Sequence, residues 1–252
     1  ENNKLIGRLL IQLLPFQGKE LKSYLSEDSP CLVKATIETV LDKINWKMAV
    51  VGNLFVSGEN GQYWNNEVNS TKRWEILNKV SKKLKKEIKV DTLLITEIRE
   101  NDLEGSNLLT KNGFKLFDIE PELAIDIPAH WKTFDDYLAD MKSKYKVRTR
   151  KVYKNSADLV VKSLSAEEMA ANENIINRLH ENVTKKIGFK LAEVSDTYFY
   201  DLKKCLADGF GFYAYYLEDK MIGFISTIDN KSILEVHLIG LDYTINKSVG
   251  LY

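Results

Sequence analysis

Apolar residues along this chain fall into two rhythms, short runs suited to strands and three-and-four spacings suited to helices. Their alternation predicts an α/β or mixed α+β fold. Residues 4–14 and 46–56 read as strands, and between them Val33, Ile37, Val40, Leu41 and Ile44 form one stripe of a helix. A loop rich in Gly and Asn, 57–69, precedes a second helix whose apolar positions are Trp74, Leu77, Val80, Leu84 and Ile88, with Ser70 or Thr71 as its expected cap. A buried strand at 92–96, a short helix over 103–111, a turn at Asn112 and Gly113, and strands at 114–119 and 122–127 complete the first half near Pro128.

Helical spacing then runs through Phe134, Tyr137, Leu138, Met141, Tyr145 and Val152, which predicts one long amphipathic helix over 134–153 joining the two halves. Beyond it come a strand at 158–164, helices over 166–186 and 197–207, and strands at 211–217, 221–229 and 232–241, with a tight hairpin at Glu218-Asp219-Lys220. A weak echo links the halves. Lys4-Leu5-Ile6-Gly7 matches Lys220-Met221-Ile222-Gly223, and Val50-Val51-Gly52 matches Leu238-Ile239-Gly240, a hint of duplication.

Composition narrows the classes. With 252 residues, 44% of them hydrophobic and 29% charged, the chain has enough apolar mass for one large domain or two small ones. Thirty-six basic residues against thirty-six acidic ones leave no global field to draw it to nucleic acid or an anionic membrane, so any such attraction is local. Two separated cysteines, Cys31 and Cys205, fit a reducing compartment, and a cytoplasmic location is expected. No apolar run approaches the roughly 20 residues a membrane span requires, so no membrane insertion is expected. The start at Glu1 without Met or leader, and the stop at Tyr252 just after a strand, read as a fragment at both ends.

The strongest local charge signal lies between Lys142 and Lys154, where seven Lys or Arg occur with no acid. They surround every side of the helix except the Met141, Tyr145, Val152 stripe. Such a face is either simply solvated or placed to neutralise phosphate, for which the planar forks of Arg148 and Arg150 are suited.

The second half contains Phe134-x-x-Tyr137-Leu138, Tyr145-x-x-Arg148-x-Arg150-Lys151, Tyr198-Phe199-x-x-Leu202, Gly211-Phe212-Tyr213-Ala214-Tyr215-Tyr216, Lys220-Met221-Ile222-Gly223 and Leu238-Ile239-Gly240-Leu241-Asp242. In these residues it resembles the GNAT superfamily of acyl-CoA N-acyltransferases, and two such units joined by a helix resemble the Fem-type, peptidoglycan aminoacyltransferase-like arrangement. This resemblance implies two tandem GNAT-like units with mixed, mostly antiparallel sheets: a first over 1–131, a connecting basic helix over 132–154, and a second over 155–252. It also implies an acyl-CoA cofactor, acetyl-CoA or longer, and transfer of an acyl or aminoacyl group to an amine. The acceptor would be a small-molecule or nucleotide-linked amine. One alternative within the class is an aminoacyl-tRNA-dependent transferase acting on a cell-wall precursor, with tRNA as partner; another is an inactive binding or scaffold module on the same fold. The superfamily's Gln/Arg-x-x-Gly-x-Gly/Ala pyrophosphate loop is intact in neither half.

Acyl transfer to an amine needs a base, donors for an oxyanion and an anchor for a phosphorylated carrier. Glu235 and His237 alternate along one strand and so share a face, as general base or as a plain solvent-facing pair. Tyr252, or one of Tyr213, Tyr215 and Tyr216, is a candidate acid for a leaving thiolate. The loop Gly58, Glu59, Asn60, Gly61 ahead of a helix is a candidate cofactor cradle or an ordinary turn. Main-chain N–H groups near Gly52 and near Gly240 are candidate oxyanion donors, if those glycines do not serve packing alone. His130 and His180 have no companion at ligand spacing, so no metal site is expected, and serine hydrolase, P-loop and dinucleotide motifs are missing from the sequence.

Overall fold

The computed structural model describes residues 4–24, 31–58, 60–117, 122–186 and 191–245. They form a mixed α/β structure with several mostly antiparallel sheets, divided between two compact units. One unit takes the described residues up to 122 together with 191–193, and the other takes the rest. The residues expected to form a connecting helix therefore group with the second unit.

In the first unit, β1 (Gly7–Leu9) pairs antiparallel with β4 (Gln62–Trp64), while β2 (Ile11–Gln17), β3 (Asn45–Val51) and β5 (Thr92–Ile95) form a second sheet in that order. Leu10 is the switch between them, its N–H donating to Gly61 O and its carbonyl accepting from Gly52 N–H. Pro15 sits in β2, an outer strand of its sheet, where a missing N–H disturbs no second ladder. Helix α1 (Cys31–Leu41) connects β2 to β3, and α2 (Ser70–Lys83) connects β4 to β5. The cap of α2 is Asn69, one residue before the expected Ser70, because its side chain accepts from Lys72 N–H. Trp74 and Leu77 of α2 are buried beside Val51 and Leu109 of the short helix α3 (Asn107–Thr110).

The strands expected at 114–119 and 122–127 do not form among the described residues; 118–121 lie outside them. Leu123, Ile125 and Ile127 alternate as a strand would, yet all three are exposed, and among the described residues no second strand offers a ladder there.

In the second unit the expected single helix is two. α4 (Phe134–Asp140) starts with a capping box between Thr133 and Asp136 and stops at Met141, whose backbone is extended. α5 (Ser143–Asn155) restarts after an extended Lys142. The apolar spacing continues across the break because Thr149 still meets Met141, its hydroxyl reaching the sulfur at 3.7 Å. β6 (Val160–Ser163) follows, then α6 (Ala166–Ala171), α7 (Glu173–Thr184), α8 (Tyr198–Leu206) and three strands, β7 (Phe210–Leu217), β8 (Lys220–Asp229) and β9 (Leu234–Leu241). These make one antiparallel sheet in the order β6-β7-β8-β9. Glu218 and Asp219 both take positive φ, 48° and 60°, as a type I′ hairpin requires, and Leu217 pairs with Lys220 across them. Phe199 of α8 packs between Phe212 and Phe224 of the sheet, at ring centroids 5.6 and 5.1 Å, over a core that includes Leu179 and Phe210.

The duplication hint is not reproduced in the strand order. β3 lies between an antiparallel and a parallel neighbour, whereas β9 pairs with β8 alone among the described residues.

Candidate functional site

The chemistry-bearing residues of the second unit gather where β9 leaves regular register. Ile225 pairs with Ile239 and Thr227 with Val236, so His237 and Leu238 together face Ser226: a β-bulge. Ser226 is fully buried. Its hydroxyl replaces the ladder partner that the bulge removes, accepting from Leu238 N–H and donating to Leu238 O, both at 3.1 Å. With that hydrogen spent, His237 Nδ1 is left to donate to Ser226 Oγ at 3.1 Å, and its Nε2 to accept from the Tyr198 hydroxyl at 3.1 Å. A buried serine thus fixes a proton on Nδ1, and in the neutral ring Nε2 is the acceptor. Burial, reinforced by the charge of Glu235, pushes the Tyr198 hydroxyl up to about 12, so it keeps its proton at neutral pH.

Past the bulge, Asp242 N–H donates to Ile222 O, which fixes the parity of the strand: the main-chain groups of Ile239 and Leu241 point away from β8. Their carbonyls are capped from α7, by His180 Nδ1 on Ile239 at 3.3 Å and Asn182 Nδ2 on Leu241 at 3.1 Å. No strand or side chain among the described residues accepts from their N–H groups. The arrangement can therefore hold a proton at Tyr198, accept one at His237 and offer main-chain donors a few residues along the same strand.

Glu235 and His237 thus share a face as expected, both half-buried while Leu234 and Val236 are exposed, and Tyr198 lies against that face. Gly240 has a packing reason. The Phe224 ring occupies the place a Cβ would take.

Arg148 and Arg150 stand exposed on α5, and no ion pair or hydrogen bond among the described residues joins them to Glu235 or His237. Tyr252 lies outside the described residues, as does Glu59 of the glycine loop. Burial raises the hydroxyls of Tyr215 and Tyr216 above the ordinary phenol value; Tyr213 is exposed.

In the first unit the glycine loop does not lead into a helix: β4 intervenes before α2. Asn60 folds the loop on itself, its amide donating to Val56 O at 2.6 Å and its Oδ1 accepting from Asn53 N–H at 2.8 Å. Gly52 has φ +149°, and the backbone of Gly61 lies so close that a Cβ there would meet Gly52 Cα at 2.6 Å. The expected donors around Gly52 are engaged within the chain: Gly52 N–H with Leu10 O, Asn53 N–H with Asn60 and Leu54 N–H with Gln12 Oε1. These residues hold the loop to the strands.

The sequence reading took Tyr198 only as part of the likeness motif, weighed His180 only as a metal ligand, and gave Ser226 and Asn182 no role. Ser226 left a trace as a small polar residue in the apolar run of 221–228. Among the described residues no three His, Cys, Asp or Glu side chains gather as a metal site would, and no helix is long and apolar enough to cross a membrane. No protein-family model matches the chain, and no curated protein matches it.

Proposed function

We propose that this protein is an N-acyltransferase of the GNAT-like kind, moving an acyl or aminoacyl group from a thioester or ester carrier to an amine, with the second unit supplying the reacting centre. The observation that carries this reading is the outer side of β9, where the N–H groups of Ile239 and Leu241 are turned off the sheet next to the His237 bulge. A carbonyl oxygen drawn to those donors gains negative charge as the amine attacks, and fixed main-chain dipoles favour that charge without reorganising. The Tyr198 hydroxyl takes the amine's proton as it passes its own to His237 Nε2, and the return of that proton through Tyr198 protonates the departing thiolate or alkoxide. The order of helix α8, the β7–β8 pair with its tight turn and a third strand, β9, is also the order that the GNAT resemblance implies.

A second reading, an aminoacyl-tRNA donor, draws support from α5, whose Arg148 and Arg150 are exposed on a helix carrying no acid. The test is a thermal melt with acetyl-CoA and longer acyl-CoAs, since a ligand that binds only the folded state raises Tm. It is paired with acyl transfer to a panel of amines by wild type and by His237→Gln and Tyr198→Phe. We expect a Tm rise and a rate loss on the order of 10²-fold or more in His237→Gln. A Tm rise with aminoacyl-tRNA alone favours the second reading, and no response to any carrier overturns both in favour of a binding module.

A further inference from the structure

The first unit contains a pocket of about 300 Å³ that takes no part in the chemistry above. Its walls come from β4, α2 and the segment around Asp102, and its aromatic surface from Trp64 and Trp74. Both indole N–H groups are already spent. Trp64 Nε1 donates to Gln62 Oε1 at 2.9 Å, and Trp74 Nε1 to the carbonyls of Asp102 and Glu104 at 3.1 and 3.0 Å. The rings are thus fixed in place and offer the pocket carbon surface. Trp74 is buried and forms the floor, whereas the exposed Tyr63 side chain turns to the other face of β4 from Trp64.

Among the lining residues the only charged side chains are Arg73 and Asp102, and they pair with each other, Nη1 to Oδ1 at 3.3 Å. Their charges cancel locally, so neither an anion nor a cation is favoured there. Each keeps hydrogen-bonding capacity beyond that contact. Arg73 uses Nε on Val68 O and one Nη on Asp102, leaving further guanidinium N–H groups, and Asp102 has its second oxygen. A neutral ligand that shows an acceptor beside a donor answers both, and flat aromatic walls select a flat π-system.

We propose that this pocket binds a neutral nucleobase against the Trp64 indole, with its polar edge on the Arg73–Asp102 pair. Guanine and adenine both carry an acceptor next to an N–H donor. Guanine suits the pair best, because its O6 can accept from the Arg73 guanidinium while the neighbouring N1–H donates to the Asp102 carboxylate. The base can come from a free nucleoside or from the adenine end of a carrier such as coenzyme A. The proposal stands apart from the transfer chemistry of the second unit.

The experiment is tryptophan fluorescence of the whole chain titrated with guanosine, adenosine, uridine and coenzyme A. Saturable quenching by guanosine is expected in wild type and in Trp46→Phe, and its loss in Trp64→Phe. Asp102→Asn changes a half-buried side chain without changing its size, so it should retain the wild-type circular dichroism spectrum while binding guanosine about tenfold more weakly. Tighter binding of coenzyme A than of either nucleoside assigns the base to the carrier; tighter binding of guanosine assigns it to a free ligand. Quenching that does not saturate, that persists in Trp64→Phe, or that is unchanged in a folded Asp102→Asn overturns the proposal. So does uridine binding as well as guanosine. Failure here leaves the His237 and acyl-carrier tests untouched.

Discussion

The two units bury their apolar side chains in different ways. In the second, consecutive strands β7, β8 and β9 meet across short connections, and one cluster gathers Phe199, Phe210, Phe212 and Phe224 with Leu179 and Met169. In the first, the strands come from distant stretches, the sheet is interrupted at Leu10, and the buried residues fall into three smaller clusters, around Trp74, Phe16 and Leu84. A strand order set by local hairpins yields one contiguous core, whereas an order set by long connections leaves the core subdivided. Binding features follow the same division. The bulge of the second unit is braced by a continuous core, while the pocket of the first lies among its subdivided clusters.

The strongest way to break this comparison is to hollow out the larger cluster. Phe212→Ala should cost about 3–5 kcal/mol, the range for removing a fully buried ring. Hydrogen exchange should then accelerate through α7, α8 and β7 to β9 while Ala49, Val50 and Leu77 keep their protection. If both units lose protection together, they unfold as one and the contrast drawn here fails.

A smaller effect is expected at the bulge. Ser226→Ala removes the hydroxyl that satisfies both main-chain groups of Leu238, leaving them buried without that partner, at a cost of about 1–3 kcal/mol. The same change should free His237 Nδ1 and shift the imidazole tautomer, visible in its ¹⁵N chemical shifts. A stability loss with an unaltered tautomer would separate the serine's role in the sheet from any role at the imidazole.

How much of this was legible in the sequence follows the same division between local and distant contacts. The hairpin at Glu218-Asp219, the strands around it and the shared face of Glu235 and His237 were readable, because turn chemistry and two-residue alternation act over a few positions. The bulge was not, since it shows only when Ser226 and Leu238, twelve residues apart, are seen to be partners. Nor was the Tyr198 contact, which closes over 39 positions. Leu123, Ile125 and Ile127 mark the opposite failure: their alternation is a good strand pattern, but strands exist only in pairs, and no ladder among the described residues meets them. At Met141 the apolar period survives a break in the backbone, so periodicity alone merged two helices into one. The glycines at 58 and 61 suggested a cofactor cradle, and Gly52 an oxyanion donor, because glycine allows close approach of any kind; here what approaches is the chain itself.

The gentlest test concerns the end of β9, where Asp242 closes the strand. The Thr244 hydroxyl, then the Thr244 N–H and the Lys220 ammonium, hold its carboxyl below the ordinary carboxylate value against the opposing pull of burial. Because the folded-state value lies below the unfolded one, this contribution is complete at pH values above the unfolded carboxylate range, near 4, and is lost as the pH falls through the lowered folded value. Lys220 is more than half exposed, so water and salt screen its share, and the whole contribution should be a few tenths to about 1 kcal/mol. Asp242→Asn should therefore be less stable than wild type at pH 7, and the gap should narrow on acidification until the two denaturation midpoints meet below pH 3. A gap of constant size across that range would show that the asparagine perturbs the turn through its shape, and that the charge of Asp242 contributes nothing to closing the strand.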